Sequence, residues 1–319
     1  MQAPYIDIIL LSYGKFATTT KPCLDSLLPD CNNPNYCLTV VDNCSPDNSA
    51  NEIREYLKYY PYIRTSFLEK NTGFAGGMNF GASLATAEWL LLVNSDTIFA
   101  PGALDTLYHS LLAQPPRVDM MGPVTNAAGN GQGYPFKGTA ADIFQQAKFI
   151  SQFPCHGFIP CYRLDFFCVA IRKSLWDKLH GLDPIFGLGY YEDTDFSMRA
   201  KEIGTKMLIC EDAFVYHVGG SSFSDNPQAR ALIKRNKNIF KRRHPHAILY
   251  HNRQDNLAVL EEYLKLYQQG VWNEGLAIRT ELRIKALKTN LPRSLIKKWL
   301  WQHKVNKMLQ SLAVISTTP

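Results

Sequence analysis

Residues 88–97 read EWLLLVNSDT, an apolar run that ends in four polar residues. The run at 89–94 has the length and the aliphatic composition of a buried strand. Asp96 follows it closely, and a carboxylate held at a strand end is suited to binding a hard divalent cation. Because residue 94 is asparagine, Asp96 needs further ligands from elsewhere in the chain or from a bound molecule.

The first part of the chain alternates predicted strands with predicted helices. Strands are predicted at 6–12, 37–42, 63–69 and 89–94, and helices at 17–28, at 51–59 and within 71–87. This alternation predicts an α/β fold of parallel βαβ units with right-handed crossovers. Ligands of such folds gather at the carboxyl ends of the strands.

Polar residues follow three of these strands. The stretches are SYG at 12–14, DNCSPD at 42–47 and NSDT at 94–97. Any one of them is typical of a turn or a helix cap. Since all three lie at the edge where an α/β sheet binds its ligand, together they predict a binding site.

A glycine-rich stretch, NTGFAGGMNFG at 71–81, carries four glycines within nine residues and leads from a strand into a helix. Such glycines let the backbone approach a ligand closely, which indicates contact with a nucleotide. The spacing matches neither a P-loop nor the Gly-x-Gly-x-x-Gly fingerprint. The alternative is that the glycines allow the helix to pack tightly on a strand.

The second part of the predicted domain begins with loops at 124–163 and a short helix near 140–150. Strands are predicted at 166–171, 206–209 and 213–218, with a helix at 173–179. Another helix is predicted from about 193 to 203, and Glu192, Asp193 and Asp195 crowd its first turn. Acidic residues suit a helix N-terminus, but three exceed what one cap needs. A carboxylate held there can accept a proton from an incoming hydroxyl.

His217 ends the last predicted strand and is followed by Gly-Gly-Ser-Ser after one valine. A lone histidine at a strand end is more often structural than a ligand. Its role therefore depends on the other motifs.

The charge is divided unevenly along the chain. Residues 1–225 contain 16 Lys and Arg against 23 Asp and Glu, a net charge of −7, whereas residues 226–319 contain 18 against 5, a net charge of +13. A basic tail predicts an anionic partner, and a membrane surface is favoured over nucleic acid because no nucleic-acid-binding module is present. Amphipathic Lys, Arg and Trp stretches near 291–309 predict that contact. The alternative is that basic helices pack on the domain or on a second subunit of a homo-oligomer.

Eight cysteines without a Cys-x-x-Cys pair indicate reduced thiols. No apolar run approaches the length of a membrane span, and the first residues lack the basic start of a signal peptide. The expected location is the cytoplasm, with peripheral attachment to the cytoplasmic face of the inner membrane.

In combination and in this order, the motifs resemble those of the family 2 glycosyltransferases of bacterial surface-polysaccharide synthesis, over roughly residues 5–245. The matching stretches are IDIILLSY, VVDNCSPDNS, NTGFAGGMNFGA, LLLVNSDTIFAPGAL, the segment 165–204 and YHVGGSS. Three residues depart from the family pattern. Asn94 stands where many members have the first aspartate of an Asp-x-Asp pair, Ser12 where many have asparagine, and Met78 within the usual Gly-Gly-Asn-Asn run.

The resemblance implies a GT-A type nucleotide-diphospho-sugar transferase fold, with a Rossmann-like, mostly parallel sheet. The catalytic domain would span 1–225, with a nucleotide-sugar half at 1–100 and an acceptor half at 101–225. A basic helical C-terminal extension would follow at 226–319.

The resemblance also implies the roles of single residues. Asp42 would recognise the pyrimidine, Asp96 and His217 would ligate Mg²⁺ or Mn²⁺, and Asp193 would be the general base. Tyr191 and Glu192 would lie on the acceptor side. The other nucleotide-sugar-binding residues would be Ser12, Tyr13, Asn43, Asn71, Gly73, Phe74, Asn79, Asn94 and Ser95.

The implied activity is inverting transfer of a hexosyl group from a UDP- or dTDP-sugar to a hydroxyl of a saccharide or lipid-linked saccharide, in capsule, O-antigen or lipopolysaccharide synthesis. One alternative is a sugar nucleotidyltransferase, which would carry a Gly-rich basic loop where this chain has SYGKF. Another is a non-catalytic nucleotide-sugar-binding subunit of an assembly complex, which Asp96, Asp193 and His217 disfavour. A glycosidase would not explain the Gly-rich loop.

Overall fold

The computed structural model describes residues 5–115, 117–219, 227–249 and 252–316. Within these residues the chain forms nine strands, twelve α-helices and one 3₁₀ helix, Pro184–Phe186. The strands are β1 (Ile6–Ser12), β2 (Tyr36–Asp42), β3 (Arg64–Phe67), β4 (Trp89–Asn94), β5 (Thr97–Phe99), β6 (Val118–Val124), β7 (Phe158–Cys161), β8 (Cys168–Arg172) and β9 (Lys206–His217). The helices are α1 (Thr20–Leu27), α2 (Ser49–Leu57), α3 (Gly73–Ser83), α4 (Ala103–Leu112), α5 (Ala140–Ala147), α6 (Phe149–Gln152), α7 (Lys173–Lys178), α8 (Glu192–Glu202), α9 (Pro227–Arg243), α10 (Asn252–Gln268), α11 (Glu274–Thr289) and α12 (Leu295–Ser316).

The strands form a mixed sheet in the order β3-β2-β1-β4-β8-β6-β9-β5, with β7 paired to β9. Strands β3, β2, β1 and β4 are parallel neighbours. Strand β8 runs antiparallel between β4 and β6, while β6 and β9 are parallel to each other. From β1 the chain runs to β2 and β3 on one side of β1, and it then crosses to β4 on the other side of β1. That reversal of strand order opens a crevice at the carboxyl ends of β1 and β4.

Strand β1 is central, and all seven of its residues are buried. Ile8 belongs to one apolar core and Ile9 to the other, so the strand is covered on both faces, as central parallel strands are. Asp7 is the polar exception. Its carboxylate accepts the N–H groups of Thr86 at 2.6 Å and Ala87 at 2.7 Å, which fixes the turn that leads into β4.

The structure and the sequence prediction agree best in the first part of the chain. Strands β1 and β4 begin and end at the predicted residues. The two strands predicted at 206–209 and 213–218 are one strand, β9, with a register shift against β6 after Pro123. Strands β6 and β7 lie where the sequence predicts none, because Gly122, Pro123 and Pro160 obscure a strand pattern in these short segments.

The helix α11 is attached to the sheet by buried charges. Arg279 and Arg283 are both 0% exposed. Arg283 pairs with Glu211 of β9 at 2.7 Å, and Arg279 pairs with Asp212 at 2.9 Å. The Tyr134 hydroxyl donates to the other oxygen of Glu211 at 2.7 Å. Two basic residues of the predicted extension therefore serve its packing on the domain rather than a charged outer surface.

The predicted domain boundary at 225/226 lies outside the described residues, as do Gly220, Ser221 and Ser222 of the YHVGGSS motif. Beyond that gap, α9 packs next to α8. Phe240 of α9 joins Phe186 and Met198 in a small apolar cluster. The first helix of the extension is therefore in contact with the predicted acceptor half.

The buried network predicts a large loss of stability for Arg283→Ala. The substitution leaves the Glu211 carboxylate buried without its closest cation, which typically costs about 3–5 kcal/mol. Urea unfolding followed by circular dichroism measures the change. Lys288→Ala, on the exposed face of the same helix, is the control and should change the free energy of unfolding by less than about 0.5 kcal/mol. Equal effects of the two substitutions would contradict the role of the ion pair.

Candidate active site

The ends of β1, β2 and β4 bring the predicted residues to one edge of the sheet. Ser12 is paired with Asp42, and Leu11 is paired with Asn94. Ser12 is fully buried, and its hydroxyl lies 2.8 Å from that of Thr20. Tyr13 is 50% exposed at the mouth of the crevice. The three polar stretches are therefore neighbours in space, although Ser12 itself faces α1.

Asp42 is buried and bonded to its own loop. It accepts the N–H of Ser45 at 3.1 Å and also the Ser45 hydroxyl. That hydroxyl oxygen in turn accepts the N–H of Gly14 at 2.7 Å, so the loops after β1 and β2 are joined. An ionised carboxylate has about four lone-pair positions, so Asp42 keeps acceptor capacity for a further donor.

The Asn43 amide positions the loop that enters α3. Its Nδ2 donates to the Asn71 side chain and to the carbonyl of Gly73, each at 3.1 Å. Its Oδ1 accepts the N–H of Thr72 at 3.0 Å. Asn71 also accepts the N–H of Gly73 at 2.8 Å. The structure thus gives Asn43 and Asn71 loop-shaping contacts, and their predicted contact with a nucleotide-sugar stays a prediction.

The glycines of α3 serve two purposes. Added Cβ atoms would lie 2.4 Å from the side chain of Leu11 at Gly77, and 2.3 Å from that of Ile9 at Gly81, so these glycines allow tight packing on β1. At Gly73 the φ angle is +73°, and a Cβ would lie 2.2 Å from the carbonyl oxygen of Gly187. Tight packing on β1 therefore explains Gly77 and Gly81, and the close approach of the loop at Gly187 explains Gly73.

Two contacts join the predicted nucleotide-sugar half to the acceptor half at this point. The N–H of Phe74 points at the carbonyl of Leu188 at 3.4 Å. The Asn79 amide donates to the Leu182 carbonyl at 2.8 Å and accepts the Leu182 N–H at 2.9 Å. Asn79 therefore bridges the halves, a role that the sequence did not predict, and its contact with the nucleotide-sugar stays a prediction.

Asp96 and His217 face each other, 121 positions apart in the chain. The Asp96 carboxylate lies 3.5 Å from Nε2 of His217. Pairing of β5 with β9 places Thr97 opposite His217, and the Asp96 carbonyl accepts the N–H of Val218 at 3.0 Å. The backbone therefore fixes the approach of the two side chains.

The surroundings of His217 leave Nε2 directed at Asp96. Nδ1 lies 2.9 Å from the carbonyl of Ala127, so in the neutral ring it carries the hydrogen and Nε2 keeps its lone pair. The ring is stacked on Phe167. Burial acts to lower the pKa of His217, but the hydrogen bond and charge of Asp96 outweigh it and raise the pKa above its ordinary value.

These two side chains are suited to holding a divalent cation. A carboxylate oxygen and an imidazole nitrogen, 3.5 Å apart and both facing one point, can be ligands of one ion. Within the described residues, no group of three or more His, Cys, Asp or Glu side chains could hold a metal. Among the same residues, the buried Oδ1 of Asn94 has no hydrogen-bond partner. Ser95 lies between Asn94 and Asp96 in the chain and is partly exposed.

The three carboxylates at the start of α8 have three different surroundings. Asp195 is fully buried and accepts bonds from Arg199 at 2.8 Å and Arg243 at 3.1 Å, and it lies 2.9 Å from His244. It therefore anchors the end of α9 on α8. Glu192 is buried, and its Oε2 has no hydrogen-bond partner among the described residues. Burial and then the charge of Asp193 raise the pKa of Glu192.

Asp193 is the carboxylate with the surroundings of a base. It accepts the N–H of Thr194 at 2.6 Å and the Thr194 hydroxyl at 3.1 Å. Burial raises its pKa above the ordinary value, and the charge of Asp165 raises it further, against the opposing effect of Arg163. Immediately before α8, Tyr190 and Tyr191 have φ angles of 72° and 75°. This left-handed conformation costs free energy in residues other than glycine.

Asp165 and Arg163 belong to the site although the sequence did not single them out. They pair at 3.2 Å, and Asp165 also accepts the N–H of Gly129 at 2.5 Å. The negative charge of Asp165 acts on both Asp193 and His217. The available signal was an arginine and an aspartate directly before the predicted strand at 166–171.

Asn236 of α9 positions the loop that leads to Asp193. Its Nδ2 is directed at the carbonyls of Phe186 at 2.7 Å, Gly189 at 2.8 Å and Tyr190 at 3.0 Å, and the residue is fully buried. A side chain of the predicted extension thus supports the candidate base. The sequence carries no signal for it, because Asn236 lies in a basic helix far from any recognised motif.

Comparison with known proteins connects this geometry to a family. The model of the family described as "Glycosyl transferase family 2" matches residues 7–175, more than half of the chain. No protein of curated function matches the chain in sequence.

Solved structures share the fold at low sequence identity. TarS 1–349 of S. aureus has a TM-score of 0.52 at 16% identity, with 96% of this chain and 80% of that chain covered. The mannosyltransferase PcManGT of Pyrobaculum calidifontis, in complex with GDP-Man and Mn²⁺, has a TM-score of 0.52 at 13% identity, with 98% and 87% covered. GalNAc-T7 with UDP, GalNAc and Mn²⁺ has a TM-score of 0.55 at 15% identity, with 82% and 54% covered. The predicted GT-A type fold is confirmed.

The contact between Gly73 and Gly187 predicts that Gly73→Ala weakens nucleotide binding. The left-handed backbone at this position makes alanine less stable than glycine by about 1–2 kcal/mol, and the alanine Cβ must also displace the Gly187 carbonyl. Gly102→Ala is the matched control, because its φ angle is +78° and a Cβ would meet nothing within 4 Å. Urea unfolding and calorimetric titration with UDP measure the two effects. Both variants should lose stability, but only Gly73→Ala should lose UDP affinity; equal UDP affinities would contradict the prediction.

Proposed function

The chain belongs to glycosyl transferase family 2, and we propose that it transfers a hexosyl group from a UDP- or dTDP-sugar to a saccharide hydroxyl, with inversion at the anomeric carbon. The observation that carries the proposal is a carboxylate–imidazole pair, Asp96 and His217, together with a base-like carboxylate, Asp193, with the charge of Asp165 acting on both His217 and Asp193. The residues match the two requirements of such a transfer, stabilisation of a leaving diphosphate and removal of a proton from the acceptor.

The nucleotide would lie at the ends of β1 and β2. Asp42 keeps acceptor capacity beyond its bonds to Ser45, and a uracil or thymine ring offers an N–H donor. Tyr13, half-exposed at the mouth of the crevice, is available to contact the ring face. TarS 1–349, which shares this fold, has structures in complex with UDP and with UDP-GlcNAc, and these support a uridine donor here.

Asp96 and His217 would hold Mg²⁺ or Mn²⁺ together with the donor diphosphate. Bound there, the cation supplies positive charge to the diphosphate as it leaves. Asn94 would place its unpartnered Oδ1 toward a donor hydroxyl or a metal-bound water. Ser95 would lie beside the diphosphate at the same strand end.

Asp193 would accept the proton of the acceptor hydroxyl as that oxygen attacks the anomeric carbon. Its raised pKa makes it a stronger base than an ordinary aspartate while leaving it ionised near neutral pH. Attack from the face opposite the leaving diphosphate inverts the configuration. Tyr191 and Glu192 precede the base in the chain and would contact the acceptor.

The acceptor is proposed to be a saccharide or lipid-linked saccharide of capsule, O-antigen or lipopolysaccharide synthesis. We place the protein at the cytoplasmic face of the inner membrane, peripherally attached. The basic C-terminal extension, with a net charge of +13 over residues 226–319, supports attachment to an anionic surface.

The proposed base predicts that Asp193→Asn abolishes transfer and leaves donor binding intact. UDP or dTDP release with a saccharide acceptor measures transfer, and thermal shift with UDP measures binding. Asp177→Asn is the matched control, because Asp177 is exposed on α7 and pairs with Lys173. Asp177→Asn should keep full activity; transfer that survives in Asp193→Asn would remove this residue from the mechanism.

The raised pKa of Asp193 sets the direction of the pH dependence. Asp193 must be ionised to accept a proton, so kcat/KM should fall as the pH is lowered. Because the pKa of Asp193 is raised, the fall should occur at a pH above the ordinary aspartate pKa of about 3.9.

The proposed metal pair predicts cooperative binding of cation and nucleotide. One carboxylate and one imidazole form an incomplete shell, so Mn²⁺ should bind weakly to the protein alone and firmly with UDP. Asp96→Asn should abolish the gain in UDP affinity that Mn²⁺ gives, and His217→Gln should reduce it at least about tenfold. Isothermal titration with and without Mn²⁺ measures this gain. Tight Mn²⁺ binding without nucleotide would contradict the shared shell.

A further inference from the structure

The helix α12 is attached to the protein along one face. Trp301, Val305 and Leu312 are 7%, 5% and 6% exposed and belong to the larger apolar core. The Trp301 indole also donates to the carbonyl of Leu287 on α11 at 3.3 Å. This face therefore fixes how the helix lies on the domain.

The first six residues of α12 expose apolar side chains on the side opposite this buried face. Leu295, Ile296, Trp299 and Leu300 are 83%, 73%, 66% and 55% exposed. At 3.6 residues per turn, these four positions cover an arc of about 140°, centred about 180° from the buried face. Such a group, here called the α12 patch, is unusual on a protein surface, where large apolar side chains are normally scattered singly.

Basic residues surround the α12 patch. Lys297 and Lys304 lie along one side of it, Lys298 along the other, and Lys307 follows it by two turns. Residues 282–319 contain eight Lys and Arg and no Asp or Glu. A protein partner would have to be both apolar and strongly acidic to match this surface, whereas an anionic bilayer offers both properties at once.

From these observations we propose that the α12 patch inserts into the interface of an anionic phospholipid bilayer. This proposal names the part of the protein that contacts the membrane, and it rests on the peripheral location proposed above. Leucine and isoleucine side chains enter the acyl boundary, Trp299 lies at the level of the headgroups, and the lysines extend to the phosphates. Within the described residues, no helix combines the length and apolarity needed to cross a membrane.

Because α12 is packed on the domain, its contact with a bilayer would hold the whole protein in one orientation. The buried face holds the helix on α10 and α11, and α11 is held on β9 by the Arg283–Glu211 pair. The bilayer would therefore contact one defined side of the protein.

Co-sedimentation with vesicles tests the proposal on the full chain. The wild type should bind vesicles of phosphatidylcholine and phosphatidylglycerol, bind pure phosphatidylcholine at least about tenfold more weakly, and lose affinity as salt is raised. The triple variant Leu295→Gln, Ile296→Gln, Trp299→Gln should bind the mixed vesicles at least about tenfold more weakly. Glutamine retains helix propensity, so far-UV circular dichroism should be unchanged.

Controls separate this proposal from its alternatives. Tyr59→Gln removes a 75% exposed aromatic side chain far along the chain from α12 and should bind vesicles like the wild type. Asp193→Asn should also bind like the wild type, so failure of the transfer mechanism and failure of membrane contact are distinguishable. Vesicle binding that is absent in the wild type or unchanged in the triple variant would overturn the proposal. So would a dimer that the triple variant converts to monomer without any change in vesicle binding, because the patch would then join two copies of the chain.

Discussion

The backbone contact between the start of α3 and the loop before α8 is the constraint on which the site depends. No side chain separates them, since a Cβ at Gly73 would lie 2.2 Å from the Gly187 carbonyl oxygen. The bridge from Asn79 to Leu182 holds the same junction on the other side. These two contacts therefore position the loop proposed to bind the nucleotide against the loop that leads to Asp193. Under the proposed function, a substitution that separates the two loops would alter donor and acceptor geometry together.

The first turn of α8 shows how neighbouring carboxylates acquire different roles from their surroundings. Asp195 has Arg199 and Arg243 as partners and is committed to holding α9. Asp193 has only Thr194 as a hydrogen-bonding neighbour within its own turn and keeps a raised pKa. The cation partners that distinguish them come from α8 itself and from α9. Arg199 and Arg243 thus occupy Asp195, whereas Asp193 keeps the raised pKa that the proposed base requires.

The elements that the sequence predicts well are those whose signal is local. Strands β1 and β4 are continuous aliphatic runs, and the polar residues at their ends are visible without any partner. The contribution of Asn236, by contrast, depends on three carbonyls about 50 residues earlier, and the pairing of Arg283 with Glu211 spans 72 residues. Long-range contacts of this kind leave no periodicity or motif. The net charge of the extension overstates its basic surface, because Arg279 and Arg283 are buried.

A single carboxylate in the proposed metal site has a consequence for the order of binding. Asp96 would supply one negative charge, and neither His217 as a neutral ring nor Asn94 would add another. The pairing of β5 with β9 holds the two proposed ligands close together, so the site is preorganised but carries a single negative charge. The missing charge would come from the donor diphosphate, whose oxygens are the hard ligands that Mg²⁺ and Mn²⁺ prefer. The cation would then remain only while the donor or its diphosphate product is bound, which couples its release to that of the product.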